Sequence, residues 1–177
     1  MNVFIDRIIR ASKFDINLYE EVEADREAMR QALGIVILSS VAAGLGTLEK
    51  TGFNGILIGS VTALVGWIIW AYLSYIIGTR FFPEPQTKAD YGELLRTIGF
   101  ASAPGLIRVL GIIPGLTKII FFIATIWMLI AMVIAVRQAL DYQSTLRAIG
   151  VCFIGWIIQG LLFTLMFSLF GISIRSF

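Results

Sequence analysis

The sequence predicts an all-α polytopic membrane protein: a five-helix transmembrane bundle with an N-terminal amphipathic interfacial helix and a third span broken by proline and glycine. Three observations predict it. Of 177 residues, 58% are hydrophobic and 15% charged, whereas a soluble domain carries charge on about a quarter of its residues. Five apolar stretches follow one another at about 32–48, 53–77, 98–116, 119–136 and 148–172, near the roughly 20 residues that a bilayer core requires of a helix. Lysine and arginine are also one-sided about those stretches, as a fixed membrane orientation demands.

The same composition removes several classes of function. A net charge of +2, with basic residues scattered over many segments, offers no stripe for nucleic acid. There is no histidine and a single cysteine, Cys152, so disulfides within the chain, thiolate zinc sites and histidine-ligated haem lack ligands. No cofactor is expected. The N-terminal segment is too charged for a cleavable leader, and neither a Met-Gly start nor a C-terminal cysteine is present for lipidation.

Residues 1–31 form a head ahead of the membrane domain, 32–177. From Met1 to Lys13, Met1, Phe4, Ile5, Ile8 and Ile9 fall on one helical face, and Asp6, Arg7, Arg10 and Lys13 on the other. Such a helix can lie in the headgroup layer with Arg7, Arg10 and Lys13 toward anionic lipid, or pack on the protein's own surface. Asn17 with Glu20 then resembles a capping box opening a helix that carries Glu20, Glu21, Glu23, Asp25 and Glu27. This acidic run is either a solvated face or a docking surface.

In the first span Ser40 and Gly44, and in the second Gly55, Gly59 and Ala63, recur at four-residue spacing. Small residues let helices approach in lipid, where no hydrophobic force drives them together, so these two spans are expected to touch; the same faces could serve a dimer. Trp67, Trp70, Trp127 and Trp156 fall within spans and are expected as packing wedges. The connection Gly78 to Thr97 opens with Phe81-Phe82-Pro83-Glu84-Pro85 and then shows a helix start at Thr87 and Asp90. The connection Arg137 to Arg147 reads as a helix-end charge arrangement.

The basic residues of one set of connections are Arg7, Arg10, Lys13, Arg26, Arg30, Arg80, Lys88, Arg96, Arg137 and Arg147, against Lys50, Lys118 and Arg175 on the other. Retention of positive charge inside the cell then places the N-terminus in the cytoplasm and Phe177 outside, in a multi-pass protein of the cell membrane.

The third stretch differs from the rest, because Arg108 lies in it between Pro104 and Pro114. Arg108 is ten residues from Lys118, about 15 Å along a straight helix. Proline at 114 frees the Leu110 carbonyl, and Gly105 and Gly111 permit local unwinding, so the guanidinium could bond backbone there or reach a loop acid such as Glu49. An intramembrane charge is a functional candidate; an arginine reaching outward to steady a broken helix is the structural alternative.

Leu94-Leu95-Arg96-Thr97-Ile98-Gly99-Phe100, then Pro104, then Gly111-Ile112-Ile113-Pro114-Gly115, and the close at Val136-Arg137-Gln138-Ala139-Leu140 resemble the Ypt-interacting-protein (Yip) domain family of bacterial type. The resemblance covers the whole five-span layout and is sharpest at Gly99, Phe100 and Pro104. It implies a five-span bundle with a cytoplasmic N-terminus. Eukaryotic members bind Rab-type GTPases and shape transport membranes, but this chain lacks their Asp-Leu-Tyr-Gly-Pro signature and has a short head, which makes GTPase binding doubtful.

The function expected is a non-enzymatic membrane organiser or accessory subunit, contacting lipid and other membrane proteins or further copies of itself. The alternative is a small transporter or channel with an anion-attracting site at Arg108, as in transporters with discontinuous helices. An intramembrane enzyme is not expected, since no nucleophile–base pair or carboxylate pair falls within the spans.

Overall fold

Backbone groups in hydrocarbon have no water to pair with, so every span must satisfy its own hydrogen bonds. A computed structural model describes residues 2–169, and these form helices with no strand among them. Met1, the end of the fifth span at 172, Arg175 and Phe177 lie outside the described residues. Five helical segments are long and apolar enough to cross a membrane.

Two short helices come first. Helix α1 (Val3–Ser12) begins where the Asn2 side chain accepts the Phe4 N–H at 3.0 Å, and α2 (Ile16–Ala24) where Asp15 accepts the Asn17 N–H at 3.0 Å. The box expected from Asn17 and Glu20 therefore gives way to Asp15, two residues earlier. Asp15 is drawn there by a second partner, because its other carboxylate oxygen meets Arg10 Nε at 2.7 Å.

The first two spans are α3 (Ala28–Gly46) and α4 (Leu48–Ile76), the latter kinked at Gly52 (φ 63°) and ending in a π turn, Ile77–Phe81. The third is composite: α5 (Tyr91–Phe100) followed by a 3-10 helix, Ala103–Ile112. Helices α6 (Thr117–Ala139) and α7 (Thr145–Leu169) complete the bundle.

The third span begins seven residues before its expected start at Ile98. Asp90 and Glu93 cap it reciprocally, at 2.9 and 2.7 Å, while Thr87 accepts the Glu84 N–H at 2.9 Å instead of opening the helix. At 1.5 Å per α residue and 2.0 Å per 3-10 residue the two pieces together reach about 35 Å. The chain then turns at Pro114 and Gly115 (φ 82°), with the Leu116 N–H closing on the Ile113 carbonyl at 3.1 Å. Proline followed by a positive-φ glycine is the requirement of a type II turn. Pro114 thus ends the span without freeing the Leu110 carbonyl for Arg108, since that carbonyl accepts the Ile113 N–H at 3.2 Å.

Helix α3 meets the 3-10 segment at backbone distance. A Cβ on Gly46 would stand 2.2 Å from the Arg108 carbonyl oxygen, and one on Gly105 2.1 Å from Ser39 Oγ. On α4 the contact face is Ile56 and Ser60: Ile56 closes over Gly44, and Ser40 Oγ donates to Ser60 Oγ at 3.1 Å. Of the α4 stripe expected to meet α3, Gly55 and Gly59 are turned away, since a Cβ on Gly59 would touch nothing within 4 Å and Gly55 adjoins only its own Thr51, while Ala63 lines a cavity shared with Ser39 and Ser40 of α3. Small residues on one helix suffice when the other supplies a large one.

At the end of the bundle that carries α1 and α2, the two long connections bind each other. Glu84 accepts the Gln143 and Ser144 N–H groups that open α7, at 3.0 and 3.3 Å, and Tyr142 donates to the Gly78 and Phe82 carbonyls at 2.9 and 2.7 Å. The hydrogen bonds from the α7 N-terminus hold the Glu84 carboxyl below the usual range.

Gly46→Ala is expected to cost about 1–3 kcal/mol, the range for overpacking a tight core, because its neighbour is backbone. Gly59→Ala should leave stability unchanged or slightly raised. Thermal unfolding of both variants in one detergent checks the pair.

Candidate functional site

Two regions gather the polar chemistry, one at the head and one between the spans. At the head, Arg7 is buried although it lies on the face expected to meet lipid. Its Nε and Nη2 reach Glu21 at 2.9 and 2.8 Å, Nη2 reaches Asp25 at 2.9 Å, and Nη1 donates to Gln31 at 3.0 Å. Arg10 meets Asp15 at 2.7 Å and Glu21 at 2.6 Å. The Arg10 hydrogen bond, with Arg7 beside it, holds Glu21 below the ordinary carboxylate range, and Arg7 does the same to Asp25.

Helix α1 packs on the protein itself, with Phe4 and Ile8 against the core and Arg7 buried beside them. Val3, Ile5 and Ile9 are 60%, 49% and 38% exposed while Arg7 is 7% exposed; of the three basic residues expected outward, only Lys13 is exposed. The physical reason is the acidic run of α2, which offers the two arginines partners closer than any headgroup.

Arg96 makes the second head contact. It is 5% exposed, lies within the third span, and donates from Nε to the Val22 carbonyl at 2.9 Å and from Nη2 to the Glu23 carbonyl. These carbonyls end α2, so the guanidinium satisfies groups a helix terminus leaves open and complements the helix dipole there. Trp127 donates to the Ser12 carbonyl at 2.7 Å, and Gln138 bonds Glu20. None of these roles was legible in the sequence. Arg96 reads as a connection residue, and its burial depends on helices far away in the chain.

Between the spans lies a cavity of about 410 Å³ lined by residues of α3, α4, the third span, α6 and α7. Arg108 faces it. Its buried Nε has no hydrogen-bond partner, its guanidinium carbon sits 5.6 Å from the centre of the Phe121 ring, and among the described residues no ion pair reaches it. Arg108 as a whole is half-buried, and among the described residues no backbone carbonyl accepts from it. Trp70 and Trp67 line the same cavity, Trp67 also donating to the Leu95 carbonyl at 3.0 Å; Trp156, expected as a wedge, is 63% exposed.

The other residues singled out in the third span do not gather at Arg108. Gly99 packs on Ala32 near the head, where a Cβ would stand 2.7 Å from the alanine's, and Phe100 and Pro104 are buried beside it in sequence. Pro114 is exposed in its turn.

Glu23 has a buried Oε2 without a partner; burial, reinforced by Glu93, Asp141 and Glu20, pushes its carboxyl up to about 8 against the opposing pull of Arg96. Because folding raises this pKa from 4.5, the folded state keeps a proton that the unfolded chain loses, and this group's contribution to stability falls as pH rises from 4.5 to about 8. Glu23→Gln should therefore match the wild type near pH 4.5 and exceed it in unfolding temperature at pH 8, measured in one detergent at both pH values.

A search of curated proteins and one of solved structures return no match. The family model described as Yip1 domain matches residues 18–167. That match runs from α2 through all five membrane-crossing segments into α7, and the chain belongs to the Yip1 domain family.

Proposed function

We propose that this protein is a non-enzymatic organiser of the cell membrane, an accessory or scaffold subunit whose head lies in the cytoplasm. The observation that carries the reading is the attachment of the head to the third span through Arg96 and to the fourth through Trp127 and Gln138. A surface so held transmits a docking event to the spans instead of absorbing it in a flexible tail. The face it offers carries exposed Asn17, Glu20, Arg26 and Glu27, outside the hydrocarbon by its charge. Proteins of the Yip1 family associate with other proteins, and the excess of lysine and arginine on the head side supports its cytoplasmic placement. The partners it fits are other membrane proteins or further copies of itself, with lipid around the spans.

A second reading, a small transporter or channel, draws on Arg108 and the cavity between the spans. Anion flux into liposomes that is lost in Arg108→Ala would favour it, and absence of flux with the wild type would remove it.

The organiser is tested by affinity recovery from native membranes in mild detergent. The wild type should bring down a membrane-protein partner in stoichiometric amount, and Arg96→Met, which unfastens α2, should lower that recovery several-fold without removing the protein from the membrane. Recovery of a clean homo-oligomer with no other protein would count against a role as accessory to a different subunit.

A further inference from the structure

We propose that the cavity between the spans is a binding site for one anionic phospholipid, with the phosphate on Arg108 and an acyl chain along the tryptophan-lined wall. The inference stands apart from the proposed scaffold role and does not depend on it. It begins with an electrostatic debt. Arg108 is half-buried among the spans; a guanidinium so placed loses part of its hydration, and such charges are found paired or facing a polar cavity. Arg108 has a buried Nε without an acceptor, and among the described residues no carboxylate pairs with it.

The walls define the sign and the shape of the ligand. No aspartate or glutamate lines the cavity, so nothing there would attract a cation in place of an anion. The guanidinium fork fits two oxygens of one phosphate at once. Trp70, 7% exposed, lines the same cavity and adds an aromatic wall to it.

An oxyanion could arrive free or on a lipid, and the rest of the lining selects the lipid. The volume of about 410 Å³ lies in the range of sites for whole small molecules, far more than a phosphate fills. Most of the wall is apolar: Trp67 and Trp70 form its buried side, and Met128 and Met132 supply adaptable thioether surface. Trp156 lines the cavity yet is 63% exposed, so the mouth opens on the apolar outer surface of α7, where lipid chains are the neighbours. One charged end and an apolar body open to the bilayer match an amphiphile.

The test uses the full protein in a mild detergent and reads indole fluorescence, which bromine on an acyl chain quenches on contact. Brominated phosphatidylglycerol, brominated phosphatidylcholine and inorganic phosphate are titrated separately and in competition. Phosphatidylglycerol should quench saturably and bind at least tenfold more tightly than phosphatidylcholine. Arg108→Gln should abolish that preference, while Arg108→Lys, which keeps the charge and loses the fork, should retain part of it. Ser102→Phe, which fills the cavity and leaves the arginine in place, should weaken phosphatidylglycerol at least tenfold; it carries the test if Arg108→Gln does not fold. Equal binding of the two lipids by the wild type would overturn the proposal, as would a folded Arg108→Gln with the preference intact or Ser102→Phe with full affinity. Displacement of phosphatidylglycerol by millimolar inorganic phosphate would assign the site to a free anion and overturn the lipid.

Discussion

Satisfying polar groups without water is the constraint from which the rest of this structure follows. Three spans meet it as uninterrupted α-helices, and the second as an α-helix with a kink at Gly52 and a closing π turn. The third cannot, because Pro104 has no N–H to give and two arginines lie in its length. Its solution is to change helix type, which keeps backbone bonds closing at the shorter interval and lengthens the segment for the same number of residues. The irregular span must then be enclosed, and 56% of it is buried against 22% of each of the two spans that follow. Glycines at 46 and 105 let α3 close on it at backbone distance. That burial falls mainly on the α-helical half, Arg96 to Phe100, while the 3-10 half leaves Val109, Leu110 and Ile112 exposed.

The two arginines of that span meet the constraint in opposite ways. Arg96 is answered entirely by protein, through the carbonyls that end α2. Arg108 has only the face of Phe121, at 5.6 Å, and a cavity, and a cation over a phenyl ring recovers only a fraction of a lost hydration shell. One residue fastens the head, and the other leaves an unbalanced charge between the spans. An account of function has to treat them separately, although both read as arginine in an apolar context.

The spans were legible because their signal is local. A run of apolar residues long enough to cross is visible in composition, and α3, α4, α6 and α7 begin within a few residues of where that run places them. The start of α5 was not, because Tyr91 to Arg96 is polar on average and is covered by residues distant in sequence, Trp67 and Tyr72 of α4 and the end of α2. The direction of Arg108 was hidden for a geometric reason. Over the four residues from Pro104, a 3-10 helix rotates roughly 80° further than an α-helix, enough to exchange outside for inside. The facing of α1 stays open in the sequence because its amphipathic pattern says that two faces differ and not which one meets lipid; the acids that decide it, Glu21 on α2 and Asp25 just past its end, lie elsewhere in the chain.

The contact of Arg96 with the end of α2 also orders events in time. Its partner Val22 lies 74 residues earlier, Ser12 waits 115 residues for Trp127, and Glu20 waits 118 for Gln138. Synthesis proceeds from the N-terminus at roughly 5–20 residues per second, so α1 and α2 leave the ribosome many seconds before their fastenings exist. During that interval they hold each other through the Arg7 and Arg10 pairs, and the start of α3 through Gln31. The head is the first part of the protein to be made and among the last to be seated, and its seating reports that the third and fourth spans are in place.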